Sequence, residues 1–202
     1  MDSGYYQKLR VLWHELGHFF ANQYNQQHYQ GEGTEELVIV RKDVGNQRFD
    51  YEGATKLRNY VREDVLRHPA AIIASSAYGP YLQCIIYGQE LKSCLEARHT
   101  GAHGSADYEQ INSAILAATG HLAAREPIFA ALEQHFARIK QKPEFSQLSK
   151  VDIDDLVQSD ADDFKVPLEE LHHRFDFFFP LHDSYYRELV STLETILKPW
   201  LR

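Results

Sequence analysis

The sequence predicts a mainly α-helical fold with one small β-hairpin or sheet. Three observations carry this reading. Apolar residues recur at three- and four-residue spacing along most of the 202-residue chain. Only one stretch, ELVIVR at 36–41, is rich in β-branched residues, and a Gly-Asn turn signal follows it at 45–46. Gly31 and Gly33 interrupt the helical pattern, and Lys142-Pro143 begins a change in character. With 44% hydrophobic and 25% charged residues, the composition is that of a globular protein.

The elements follow in order. Residues 5–28 predict a helix, with Leu9, Leu12, Trp13, Leu16, Phe19, Phe20 and Tyr24 as its apolar positions. Gly31 and Gly33 end it. Residues 36–41 and 47–51 predict the two strands of a hairpin. Residues 54–67 read as a polar helix, with Lys56, Arg58, Arg62 and Arg67 interleaved with Glu63 and Asp64 on a solvated face. Residues 70–88 predict a buried helix kinked at Gly79-Pro80. The small-residue segment 98–106 predicts a loop, and Ser105 is placed to cap the next helix. A further helix is expected over about 127–140. Asp152, Asp154, Asp155, Asp160, Asp162 and Asp163 lie in a stretch without positive charge, which reads as an acidic linker or exposed face. The aromatic tail 168–201 predicts two short helices broken at Pro180. The chain thus divides into a domain over 1–140 and a C-terminal extension over 141–202 packed on it.

Several function classes are disfavoured. A net charge of -8 and the absence of a basic stripe argue against nucleic-acid binding. No run approaches the roughly 20 apolar residues a membrane span needs, and the N-terminus lacks a signal-peptide pattern. These features predict a soluble, cytoplasmic protein. Cys84 and Cys94, without CxxC spacing, are expected as free thiols. The acidic stretch lacks the Gly-containing loop of an EF-hand. His172-His173 and His182-Asp183, among Phe175, Phe177, Phe178 and Phe179, read as packing or a partner surface rather than a second metal site.

The segment HELGH at 14–18 carries the chemistry. Residues four apart share one helix face, so His14 and His18 can hold one Zn2+ ion. Glu15, beside them, is placed as the general base that takes a proton from the water activated by the metal. Gly17 permits close approach of another segment on that turn. Two histidines leave a third ligand to be supplied from elsewhere. The extended HExxHxxGxxH pattern is excluded, because Ala21 and Tyr24 stand at its remaining positions.

Four segments in order, LWHELGHFFA, ELVIVRKDVGNQRFDYEG, IIASSAYGPYLQCIIYG and TGAHGSADYEQI, make the chain over about 5–125 resemble the protease domain of the FtsH-type zinc proteases. The resemblance implies an HExxH zinc-peptidase-like helical domain, with Asp107 as third zinc ligand. Position suits Asp107, since a carboxylate is favoured in the first turn of a helix. His99, His103 and Glu109 are the other candidates. The 202 residues include no segment that resembles the family's AAA+ ATPase module or membrane anchor, and 127–202 carries no recognised resemblance. HELGHF also resembles the intramembrane site-2-type proteases, which would require a membrane span.

The expected function is a zinc-dependent metallopeptidase acting on peptides or unfolded protein. The strand after the motif helix would pair with an extended substrate. The alternative is a metal-binding or inactive protease-like interaction module that binds a protein partner through its acidic and aromatic C-terminal region. Homo-oligomerisation, or a separate partner protein, is compatible with either.

Overall fold

The computed structural model describes residues 3–45, 49–58, 67–91, 95, 104–157 and 161–201. Its centre is α1, Ser3–His28. Leu12, Leu16, Phe19, Phe20 and Ala21 are fully buried, and Trp13, His14, Glu15 and Tyr24 nearly so. A helix buried on all sides must be covered on all sides. Here α2 (Pro69–Ile86), the hairpin and the C-terminal helix α7 (Phe178–Leu197) cover it.

The hairpin is β1, Thr34–Asp43, and β2, Phe49–Leu57, paired antiparallel from Thr34↔Leu57 to Asp43↔Phe49. Its second strand is longer than the sequence predicts, and the polar helix expected over 54–67 is corrected at 54–57, which are strand. The physical reason lies in the alternation. Tyr51, Gly53, Thr55 and Leu57 turn inward while Glu52, Ala54, Lys56 and Arg58 face solvent, a period of two that only a strand satisfies. Positions 59–66 of that predicted helix lie outside the described residues.

Next come α2, Pro69–Ile86, α3, Ser105–Thr119, α4, Arg125–Ile139, and α5, Pro143–Leu148. Pro69 opens α2, where its missing N–H costs nothing. Pro80 lies inside α2. Gly104, one residue before Ser105, holds the cap position of α3, and Gly120 ends that helix at φ 78°. Tyr78 and Tyr81 of α2 pack on Phe136 of α4, Tyr81 stacking at 4.4 Å.

The C-terminal third enters the same core. After a short 3-10 turn over Asp154–Leu156 comes β3, Phe164–Val166, which pairs antiparallel with β1 through Leu37↔Val166 and Ile39↔Phe164. The sheet order is β2-β1-β3, so β1 is its central strand. Glu36 is flanked by Lys56 on one side and Lys165 on the other. The acidic stretch finds its cations at a distance in sequence. Arg174 pairs with Asp155 and Glu170, and Arg41 pairs with Asp162.

The tail forms α6, Leu168–Phe175, and α7, Phe178–Leu197. The break falls before Phe178, not at Pro180, because Pro180 sits in the first turn of α7, where a proline displaces no intrahelical bond. Phe20 meets Phe175, Phe178 and Phe179 at 4.9–5.5 Å. Tyr186 donates to Asn25 Oδ1 at 2.6 Å and ties α7 to α1. Cys84 is disulfide-bonded, which corrects the free-thiol expectation; Cys94, the other cysteine of the chain, lies outside the described residues. A cysteine pair without motif spacing gives no pattern to read, and Gly88 (φ 63°) reverses the chain just after Cys84. Among the described residues no helix is long and apolar enough to cross a membrane.

Two histidines in this core are held neutral. Burial depresses the pKa of His182, which shares a 2.7 Å hydrogen bond with the Tyr78 hydroxyl. Burial, with Arg138 nearby, lowers His135 to about 4. A histidine whose folded pKa lies below its unfolded value, about 6.5, stabilises the fold fully above that value. The contribution is lost as pH falls through it toward the folded pKa. Thermal unfolding is therefore expected to move to lower temperature between about pH 6.5 and 4, with His135 alone contributing roughly 3 kcal/mol. In His135→Leu the acid-induced loss should shrink; an unchanged pH profile of melting would show that His135 does not contribute it.

Candidate metal centre

The site forms where α1 and α2 cross. A Cβ on Gly17 would lie 2.3 Å from the Tyr78 carbonyl oxygen, and one on Gly79 would lie 2.3 Å from His18 Nε2. Two glycines thus let the backbones and one imidazole occupy space that side chains would fill. On α2, Ser75, Gly79 and Gln83 recur every four residues and form one stripe. On α1, Arg10, His14 and His18 form the facing stripe.

The stripes meet antiparallel. His18 Nδ1 donates to the Ser75 carbonyl oxygen at 2.9 Å. Since a carbonyl only accepts, this bond fixes the proton on Nδ1 and leaves Nε2 facing inward. His14 Nδ1 lies 3.1 Å from the Gln83 amide. The two Nε2 atoms are 3.1 Å apart.

Asp107, in the first turn of α3, closes the triangle. Its Oδ2 lies 3.1 Å from His14 Nε2 and its Oδ1 lies 3.1 Å from His18 Nε2. Asp107 and His14 are buried. Lone pairs of three groups converge on one point away from bulk water, and only protons or a cation can balance them. The electrostatics register this. Burial alone would lower the His18 pKa, but Asp107, with Glu15 and the Ser75 carbonyl, outweighs burial and raises it. Burial pushes the Asp107 carboxyl up, yet the two imidazoles outweigh it and hold the group well below the usual carboxylate range.

The donor set suits a zinc ion. Ligand bonds of about 2.0–2.1 Å at a tetrahedral centre put the ligand atoms roughly 3.3 Å apart, close to the spacing here. His14, His18 and one carboxylate could fill three positions of a tetrahedral metal ion.

Glu15 is buried beside the triangle and points to β2. Thr55 Oγ donates to Glu15 Oε2 at 2.7 Å. A Cβ on Gly53 would lie 2.3 Å from Glu15 Cγ, so β2 passes close against this side chain. The Glu15 carboxylate lies within 4.8 Å of both imidazoles, in reach of a bridging water. It could itself be taken for a third ligand. Asp107, with an oxygen 3.1 Å from each imidazole Nε2 while Glu15 is turned to Thr55, is the better placed.

The structure therefore brings together His14, Glu15, His18 and Asp107. Glu109 is exposed on α3, and His99 and His103 lie outside the described residues. His172 packs against Phe19 and Phe179, and Asp183 pairs with His28. Thr55, Gly53, Ser75 and Gln83 escaped the sequence reading. The alternation over 51–57 could have exposed the first two, and the four-residue stripe on α2 the others. Comparison with protein-family models, with characterised proteins and with solved structures finds no match to this chain.

Replacing Gly79 by Ala tests the crossing. The change gains up to about 1 kcal/mol of helix propensity but forces the new methyl into His18. Overpacking of this kind costs typically 1–3 kcal/mol. Gly79→Ala is expected to melt at lower temperature and to shift the His18 imidazole signals in NMR. A stabilised variant with unmoved His18 signals would rule out this contact.

Proposed function

We propose that this chain is a zinc-dependent metallopeptidase of the HExxH type, with His14, His18 and Asp107 as metal ligands and Glu15 as general base. The observation that carries the reading is the buried triangle of His14 Nε2, His18 Nε2 and the Asp107 carboxylate, with 3.1 Å between neighbours. The resemblance of the HELGH and TGAHGSADYEQI segments to FtsH-type zinc proteases supports the same ligand set.

A bound zinc ion would supply Lewis acidity, bringing the pKa of a water toward neutrality and polarising the scissile carbonyl. The remaining work falls to the chain. Ser75 orients His18, and the Gln83 amide meets His14. Glu15 accepts a proton from the attacking water and passes it to the departing amine. Thr55 holds Oε2 of Glu15 and leaves Oε1 for that traffic.

The peptide-pairing strand is reassigned. β1, the strand directly after the motif helix, is paired with β2 on one side and β3 on the other. Among the described residues β2 is an edge strand, and it passes Glu15 at Gly53 and Thr55. An extended substrate would add to that edge, with backbone hydrogen bonds giving affinity and little sequence preference.

Metal analysis by mass spectrometry is the deciding experiment. About one zinc per chain is expected in the wild type, with loss in His18→Ala and in Asp107→Ala. Glu15→Gln should keep its zinc and lose at least about a hundredfold in cleavage of a fluorogenic or unfolded polypeptide. Thr55→Val should keep its zinc and lose about tenfold. Zinc lost with His18→Ala but kept in Asp107→Ala would move the third ligand elsewhere. A wild type that takes up no zinc when supplied with it would sink the peptidase reading and favour the interaction module.

A further inference from the structure

The two histidines of the site are anchored differently. His18 faces a backbone carbonyl, which admits only one tautomer. His14 faces the side-chain amide of Gln83, which has an acceptor at one end and a donor at the other. The opposite side of that amide lies against the Arg10 guanidinium, whose Nη2 is 3.2 Å away and whose Nε is closer still. Arg10 stands one helical turn before His14 on the same face of α1.

Guanidinium nitrogens only donate. With the Gln83 oxygen toward Arg10, its nitrogen donates to His14 Nδ1 at 3.1 Å and both neighbours are satisfied. His14 then carries its proton on Nε2, from which it donates to Asp107 Oδ2 at 3.1 Å. That tautomer cannot ligate a metal through Nε2. Ligation needs the proton on Nδ1, the Gln83 oxygen toward His14, and hence the amide nitrogen toward Arg10, where two donors oppose each other.

We infer that Gln83 is a positioning residue that works as a two-state relay between the metal site and Arg10. In the metal-free state Arg10 holds the amide in the orientation that keeps His14 Nε2 protonated. His14 can ligate a metal only after the amide turns by a half-rotation, which places the His14 proton on Nδ1 and releases the guanidinium. The Arg10–Gln83 bond therefore opposes metal binding. This inference rests on the proposed use of His14 as a ligand.

Three measurements on the full chain test it, the first being zinc stoichiometry of the wild type. The second is the His14 tautomer, read from imidazole nitrogen shifts of 15N-labelled protein without zinc and with it. The relay expects a protonated Nε2 and bare Nδ1 without zinc, and the reverse with zinc. The third is zinc affinity by competition with a chelator. Arg10→Met is expected to tighten zinc about three- to tenfold, and Gln83→Leu to weaken it about tenfold. Removing a cation also favours zinc through space, so the double variant is decisive. With Leu at 83, Arg10→Met should lose most of its effect. Gln83→Glu, whose carboxylate accepts from both sides, should bind zinc more tightly than the wild type and carry the Nδ1 proton even without zinc.

A zinc-binding wild type whose His14 already bears a proton on Nδ1 without zinc would overturn the relay and leave the metal site standing. Equal effects of Arg10→Met with Gln or Leu at 83 would overturn it as well. A wild type that binds no zinc would remove the ligand role of His14, and the relay with it.

Discussion

The close crossing of α1 and α2 is the constraint on which the rest of the site depends. Two helices normally pack 8–10 Å apart, with side chains filling the gap. Here Gly17 and Gly79 remove the side chains at the crossing. The four-residue stripe Ser75, Gly79 and Gln83 then reaches the outer nitrogens of His18 and His14 while the inner nitrogens face Asp107. Widening the crossing by one methyl would break this contact pattern at several points at once. The small residues of α2 therefore set the direction of both imidazoles as well as the packing of the core.

That arrangement concentrates acceptors in a buried place. A fold gains nothing from burying a carboxylate and two imidazoles against one another, since apolar side chains would fill the space at lower cost. The cluster persists because the surrounding packing over-determines it. α1 is held by the sheet on one side, by α2 on another and by the aromatic side chains of α6 and α7 on a third. Rigid support of this kind would suit a metal ion, because ligands already held in place would lose little entropy on binding it.

What the sequence made legible follows from how local each signal is. The helix under HELGH was readable because its periodicity and its histidine spacing both lie within one segment. Gly17 was readable as a point of close approach, although not what approaches, which is the Tyr78 carbonyl from sixty residues away. The convergence of Asp107 on the histidines was suggested by family resemblance, since nothing in its own neighbourhood distinguishes a ligand from a carboxylate that merely favours a helix start. Residues 54–57 were misread because Lys56 and Arg58 alternate with neutral residues in a way that fits a polar helix as well as a strand; pairing with β1 decides it. β3 was missed because three residues directly after an acidic run carry almost no pattern of their own.

The C-terminal third shows why local reading stops short of the site. Its acidic residues look like a solvated linker until Arg41 and Arg174 are brought to them. Its phenylalanines read as packing or as a partner surface until Phe20 is set among them. The pairing of β3 with β1 ties that third into the sheet whose β2 strand carries Thr55, and Tyr186 ties α7 to α1 beyond the motif. Glu15 is thus positioned by β2, the imidazoles by α2 and the far face of their helix by the tail. Each contact needs partners more than twenty residues apart. The chemistry can be named from five consecutive residues, whereas the geometry that would make it work is a property of the whole chain.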